Sequence, residues 1–339
     1  MKFLVTTATL VGALSVGIGP AMADTASQRI ALSNNYAGNS WRQAMLQSWA
    51  KVGSAAVANH TVAAADAFTT ADKEVPTQAA QLQNLILQGY NAIVIDAASP
   101  EALNGAVKAA CDAGITVVSF DGTVSAPCAY RVGIDYAGMG RAQVDYLAKR
   151  LPQGGNLLEI RGLAGTSIDG LIHQGIVDGV KAHPQFKIVS SVTGDWDEAT
   201  AQKAVATVLP SLPPIAAVVD QGGDGYGAAQ AFAAVGRPVP IIIMGNRQDE
   251  LAWWKKQHAA NGYETWSASI APGGVTLGFW VAQQILAGKK VPHDITFPAL
   301  TVDQAHLDAA LAAAPVGGVY NAEYSQDDAI KAIAASAKN

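Results

Sequence analysis

Residues 82–122, LQNLILQGYNAIVIDAASPEALNGAVKAACDAGITVVSFDG, decide the fold. They read as helix, strand, helix, strand, and each strand ends in an aspartate, Asp96 and Asp121. Ala79, Leu82, Leu85 and Ile86 recur at helical spacing, and Gly89 stops that helix. Residues 90–95 are a short apolar run rich in β-branched side chains. Ser99 and Pro100 fit an N-cap and a first helical position. The helix that follows has Leu103, Ala106, Val107 and Ala110 on its apolar face and ends at Gly114. Residues 115–120 form the second strand. Such alternation implies parallel strands joined by right-handed crossovers. Ligands in such sheets bind beyond the carboxyl ends of the strands, where Asp121 would lie.

Further strands are expected at 29–33, 61–67, 156–161, 186–192, 215–219, 240–244 and 265–270, with helices between them. Those at 29–33, 61–67, 90–95 and 115–120 predict one sheet, and the next four a second. The boundary falls near 132–135, where GIDYAGMG opens a new helix. The chain begins MKFLVTTATLVGALSVGIGPAMADTAS, a lysine, an apolar run and Ala21-Met22-Ala23. That is the layout of a secretory signal, with cleavage expected after Ala23 and a periplasmic product. The alternative, a membrane anchor, needs a longer apolar run. No later stretch is apolar for the roughly 20 residues of a span. No Cys follows the signal, so a lipoprotein anchor is not expected.

The remaining chain of about 316 residues suits two α/β lobes. Net charge is −5, and −6 without Lys2. Basic residues are scattered rather than striped, so nucleic acid is not an expected partner. None of the six histidines pairs with another His or Cys at metal-ligand spacing. There is no G-x-S-x-G elbow and no P-loop. GLAGT (162–166) and GGDGYG (222–227) fail the dinucleotide spacing and read as strand-to-helix turns. No cofactor or metal is therefore predicted. Cys111 and Cys128 are an even pair in an exported chain, which predicts a disulfide; the alternative is two separate buried thiols.

The stretch NLILQGYNAIVIDAASPEALNGAVKAACDAGITVVSFDG, together with GLAGTS (162–167), resembles the periplasmic sugar-binding proteins of the ribose-binding type. These are the substrate receptors of bacterial ABC importers, and the resemblance extends over nearly all of the chain after the signal. It implies the periplasmic binding protein type 1 fold, two doubly wound parallel-sheet lobes crossed three times by the chain. The lobes would comprise 24–133 with 271–297, and 134–270 with 298–339. The further crossings would lie near Ala271 and 297–300, and helix 273–287 would return to the first lobe. A monomer docking on a membrane permease is the implied state.

A sugar receptor needs flat aromatic faces for C–H surfaces and charged or amide groups for hydroxyls. The resemblance assigns the first-loop roles to Asn39 and Trp41, with Arg42 as an extra donor. The alternative for Trp41 is core packing at the helix start. Asp121 matches the aspartate of the ribose-binding type that accepts from sugar hydroxyls; Gly122 then stands where an Arg is common. Asp96 reads as a structural cap. Trp196 matches an aromatic that covers the sugar from the second lobe. Asp169 neighbours Gly170, which replaces an Arg; Asp224 or Gln221 substitutes for an Asn ligand; Asn246 and Arg247 replace a Phe-Asp pair. A site built on particular hydroxyls rejects analogues by about 10⁴ or more, so ribose itself is not expected. An uncharged polyol or another monosaccharide is, while Arg42 and Arg247 leave room for a sugar acid. A sensor that presents its bound form to a chemoreceptor or sensor kinase would carry the same site. An exported enzyme would need an acid–base pair, metal set or nucleotide loop that is not visible. The ligand-binding half of lac-type repressors is also similar, but those carry a DNA-binding segment where this chain has its signal.

Overall fold

The structure is a computed structural model that describes residues 24–71 and 74–338. The expected signal lies outside the described residues. In chain order the first elements are β1 (Arg29–Asn34), α1 (Ser40–Ala58), β2 (Ala64–Thr69), α2 (Val75–Leu87), β3 (Ala92–Asp96), α3 (Asn104–Asp112), β4 (Thr116–Phe120) and β5 (Tyr130–Gly133). Then come α4 (Tyr136–Arg150), β6 (Gly155–Arg161), α5 (Ser167–Ala182), β7 (Phe186–Thr193), α6 (Glu198–Val208), β8 (Ala217–Asp220), α7 (Gly225–Ala234), β9 (Ile241–Ile242) and α8 (Gln248–Asn261). The chain ends with β10 (Ser267–Ser269), α9 (Gly274–Leu286), β11 (Asp294–Thr296), β12 (Leu300–Val302), α10 (Leu307–Ala313) and α11 (Gln326–Ser336).

Two parallel sheets result. The first has strand order β11-β5-β4-β3-β1-β2, and the second β7-β6-β8-β9. A short antiparallel pair, β10 with β12, is joined to the end of β9 by a bridge between Met244 and Ser267. The order reverses between β1 and β3 and again between β6 and β8. Crevices open at such switch points, outside the carboxyl ends of the strands. The loops that leave β1, β4, β7, β8 and β9 surround the site.

Burial explains the elements. Every residue of β3, AIVID, is buried, as a central parallel strand requires. Edge strand β2 is half exposed, and it runs over 64–69 rather than the expected 61–67. Asn39 caps α1 by accepting from the Arg42 amide at 2.8 Å, and Met45 and Trp49 turn into the core. Helix α3 begins at Asn104, later than Pro100 suggested, because residues 100–103 form turns in which Ser99 Oγ accepts from the Ala102 amide. Cys111 and Cys128 form a disulfide, their Cα atoms 6.4 Å apart.

Helix α9 packs against β3, β4 and α1. The terminal segment departs from expectation. Residues 298–339 do not stay with the second sheet: β12 and α10 do, packing Val302, Leu307 and Ala310 on Leu251 and Trp254 of α8. From Asn321 onward the chain crosses back, and α11 packs on α9 and β11. Bonds to α1 and α9 hold it there: Asn321 Nδ2 donates to Ser48 Oγ of α1 at 3.1 Å. Asn321 Oδ1 accepts from the Gly273 amide at 2.7 Å, and Thr276 exchanges hydrogen bonds with the Tyr324 backbone at 2.8 and 3.0 Å. Fully buried Ala329 and half-buried Ile333 supply the apolar face.

Candidate ligand-binding cleft

The strand-end loops enclose a cavity of about 550 Å³, counting the space open to solvent. Asn39, Trp41, Arg42, Asp121, Trp196, Asn246 and Arg247 all line it. Seven of the residues singled out in the sequence thus converge, although they come from four loops, those after β1, β4, β7 and β9.

Asp121 ends β4 with φ +57, a left-handed backbone. Its Oδ1 accepts from the Tyr136 hydroxyl at 2.9 Å, and its Oδ2 lies 3.5 Å from Arg42 Nη2. Burial pushes the Asp121 carboxyl up, while Arg42 and the Tyr136 hydroxyl pull it down. A carboxylate has about four lone-pair sites, so capacity remains for ligand hydroxyls. Burial and the neighbouring Asp121 charge push the Tyr136 phenol well above its usual range, so it stays a donor.

Arg42 is 8% exposed and forms an ion pair with fully buried Asp96 in addition to Asp121. Asp96 is thus the buried anchor of this arginine and not a cap for the Ser99 turn. Its Oδ1 also accepts from the Gly122 amide at 3.3 Å. A Cβ at Gly122 would stand 2.7 Å from Asp96 Oδ1 and from the Ala97 carbonyl oxygen. No side chain fits after Asp121, and the guanidinium beside it comes from α1 instead. Trp41 is half-buried, stacks on Phe120 at 6.3 Å with a 9° interplanar angle, and donates its indole N–H to the Ile270 carbonyl at 2.9 Å. It serves both packing and the cleft wall.

From the other side, Asp195 and Trp196 have φ of +58 and +54. Two consecutive left-handed residues without glycine are costly, and they set the course of the loop that carries the Trp196 indole. Arg247 donates to the Trp196 carbonyl. Asn246 is spent at the crossing: its amide donates to the Tyr320 carbonyl at 2.8 Å, and its Oδ1 accepts from Ser269 at 3.2 Å.

Asp169 and Asp224 are not among the lining residues. Asp169 grips Arg161 with two bonds of 2.8 and 2.6 Å and accepts from Gln221 Nε2 at 3.0 Å. It therefore orients Gln221, whose buried Oε1 has no hydrogen-bond partner and which does line the cavity. Asp224 is fully buried at the start of α7, with both carboxyl oxygens unpartnered. Burial and Asp220 push it well above the usual carboxylate range; burial and Glu250 push Asp220 up to about 8; burial raises Glu250. Arg247 is the cation that pulls all three down.

Tyr136, Met139, Ile168, Ile172, Ser269 and Ile270 complete the wall. Nothing in the spacing marks the apolar ones, which look like core. Tyr136 had a signal, standing in GIDYAGMG just past the expected boundary.

The profile of the periplasmic binding protein domain matches residues 30–290. The xylitol-binding protein of Mycolicibacterium smegmatis is 29% identical over 252 residues, 72% of this chain and 70% of that one. The D-ribose/D-allose-binding protein of Pseudomonas aeruginosa is 27% identical over 232 residues, 66% of this chain and 72% of that one. An ABC transporter solute-binding protein of Thermobispora bispora superposes with a TM-score of 0.84 at 30% identity, covering 92% of this chain and 96% of that structure. The proteins of this family are binding proteins rather than enzymes. With this fold and this cleft, the chain belongs to the periplasmic binding protein domain family, alongside the solute-binding proteins of ABC transporters.

Proposed function

We propose that the protein captures a neutral monosaccharide or polyol in this cleft and delivers it to an ABC permease, without catalysis. The observation that carries the reading is the pairing of charges around the cavity. Arg42 is held by Asp96 and Asp121, and Arg247 faces Asp220, Asp224 and Glu250. Arg42 is already balanced by its two carboxylates, so a sugar acid would meet like charge there, and Arg247 is committed to the Trp196 carbonyl. Asp121, Asn39 and Gln221 serve hydroxyls, and Trp41 and Trp196 take the apolar faces. Relatives named for xylitol, ribose and allose support a polyhydroxylated ligand.

The movable bodies on this reading are 24–133 with 271–297 and the segment from Asn321 onward, against 134–270 with 300–320. Hinge closure would bring the two sets of loops together, and the ligand would shift the open–closed equilibrium through contacts made only when closed. Export to the periplasm with cleavage after Ala23, and action as a monomer without nucleic acid, complete the proposal.

The test is thermal unfolding against a panel of polyols, monosaccharides and sugar acids. A ligand at about 100 times its Kd adds about 2.7 kcal/mol and raises the melting temperature. Stabilisation by a neutral member is expected. Stabilisation by sugar acids alone would overturn the charge argument.

A further inference from the structure

A second recess opens beside the cavity, with about 820 Å³ counted in the same way. Asn35 and Tyr36 bound it from the loop after β1, and Leu163, Thr166 and Asp195 from the loops after β6 and β7. Asn39 and Trp196 line both spaces, so the two are contiguous. Next to it, the Thr123 and Ser167 hydroxyls meet at 3.4 Å and join the loops of the two sheets. The recess is therefore part of the same cleft, walled from both sides.

Its chemistry favours one kind of occupant. Asn35 is 5% exposed, and its buried Oδ1 has no hydrogen-bond partner. An unpaired buried acceptor costs about 1–3 kcal/mol, which a hydroxyl donor from a ligand would recover. Apart from the Asn39 amide, the remaining uncharged and acidic wall is made of hydroxyls and carboxylates: Tyr36, Asp96, Thr166, Asp195, Asp197 and Thr200. The basic residue on the wall is Arg42, already paired with Asp96 and Asp121. A phosphate or uronate substituent would meet carboxylates there; a second hydroxylated ring would meet acceptors.

We propose that the ligand is a neutral two-unit carbohydrate, a glycoside or glycosylated polyol, with one unit between Trp41 and Trp196 and the second against Asn35 in the recess. The inference rests on the neutral-carbohydrate reading above and extends it from a single unit to two. Trp196 would be the shared wall over which the glycosidic link passes.

The experiment is calorimetric titration of the purified protein with xylitol, D-ribose and D-allose, and with the mono-O-glucosides of each. At least one glucoside should bind within tenfold of its parent, or more tightly. Leu163→Trp, which fills the recess, should raise the Kd of that glucoside at least tenfold more than the Kd of the parent. Asn35→Leu, which removes the acceptor at similar size, should act in the same direction. Parents that bind while every glucoside loses more than 100-fold would overturn the two-unit inference and leave the one-unit reading standing. A glucoside whose affinity ignores both substitutions would overturn it as well. A glucoside that binds where its parent does not supports it. Failure of both sets would sink this inference and the neutral-carbohydrate reading together.

Discussion

Replacing Gly162 by alanine should weaken ligand binding through Trp196 alone. A Cβ at Gly162 would stand 2.5 Å from the Trp196 indole Nε1 and closer still to two of its ring carbons. The contact is with a ring, which cannot bend aside. The indole must leave its place, and Trp196 is half-buried, so it can turn toward solvent. The fold should then lose less than the ~1–3 kcal/mol typical of overpacking in a closed core. Binding loses an aromatic wall, and truncating such an anchor costs about 2 kcal/mol or more. At 1.4 kcal/mol per tenfold, Kd should rise about 30-fold. Titration calorimetry with the best-binding sugar gives the number, and a double-mutant cycle gives the cause. In the Trp196→Ala background, Gly162→Ala should have no further effect, because the clash is gone. Additive losses in the double variant would refute the argument, as would wild-type affinity in Gly162→Ala.

Three other outcomes follow from the same geometry. Arg42→Met leaves Asp96 and Asp121 buried without their cation and should cost ~3–5 kcal/mol of stability, measured by urea unfolding. Stability should fall between pH 5 and pH 8: Asp220, at about 8 when folded, and the raised Asp224 and Glu250 hold protons that the unfolded chain releases near 4. Their contribution is complete below pH 4 and is lost as pH rises toward the folded values, by up to ~1.4 kcal/mol per pH unit for each proton; Asp224→Asn should flatten the slope. Reducing Cys111–Cys128, which are 17 residues apart, should lower stability by ~3 kcal/mol on the loop-entropy account, with no change in ligand affinity.

Central strands were the readable part of this chain. Residues 92–96 are buried on both faces, and a continuous β-branched run admits few other readings. Edge strands were blurred, because β2 buries little and β9 has two residues. Strands β5 and β11 escaped notice because three or four residues in a Pro-containing or polar stretch carry no period. Site residues at strand ends were legible for a topological reason: loops at switch points face the cleft whatever their sequence. What each does there was not. Arg42 looked like a ligand donor, and only the fold brings Asp96 and Asp121 to it. Asp169 and Asp224 have the right type and place in the chain, yet their helices point them behind the wall, and Gln221 reaches the cavity instead. The path of the final helix was invisible because Asn321 and Tyr324 find partners on a helix far earlier in the chain.

Backbone strain also bears on function here. Four described non-glycine residues have positive φ, and three of them, Asp121, Asp195 and Trp196, line the cavity or the recess. Aspartate tolerates this region through local hydrogen bonds, whereas a bulky aromatic gains nothing from it. A glycine at 196 would relieve ~1 kcal/mol or more, so the indole is retained at the expense of stability. Trp196→Gly should therefore unfold at a higher temperature than Trp196→Ala, by the few degrees that 1 kcal/mol represents in a chain of this size. Both variants should weaken binding alike, by the same roughly 30-fold, since neither carries the ring. If alanine and glycine at 196 melt together, the left-handed backbone carries no cost there, and the case for Trp196 as a ligand wall would rest on its position alone.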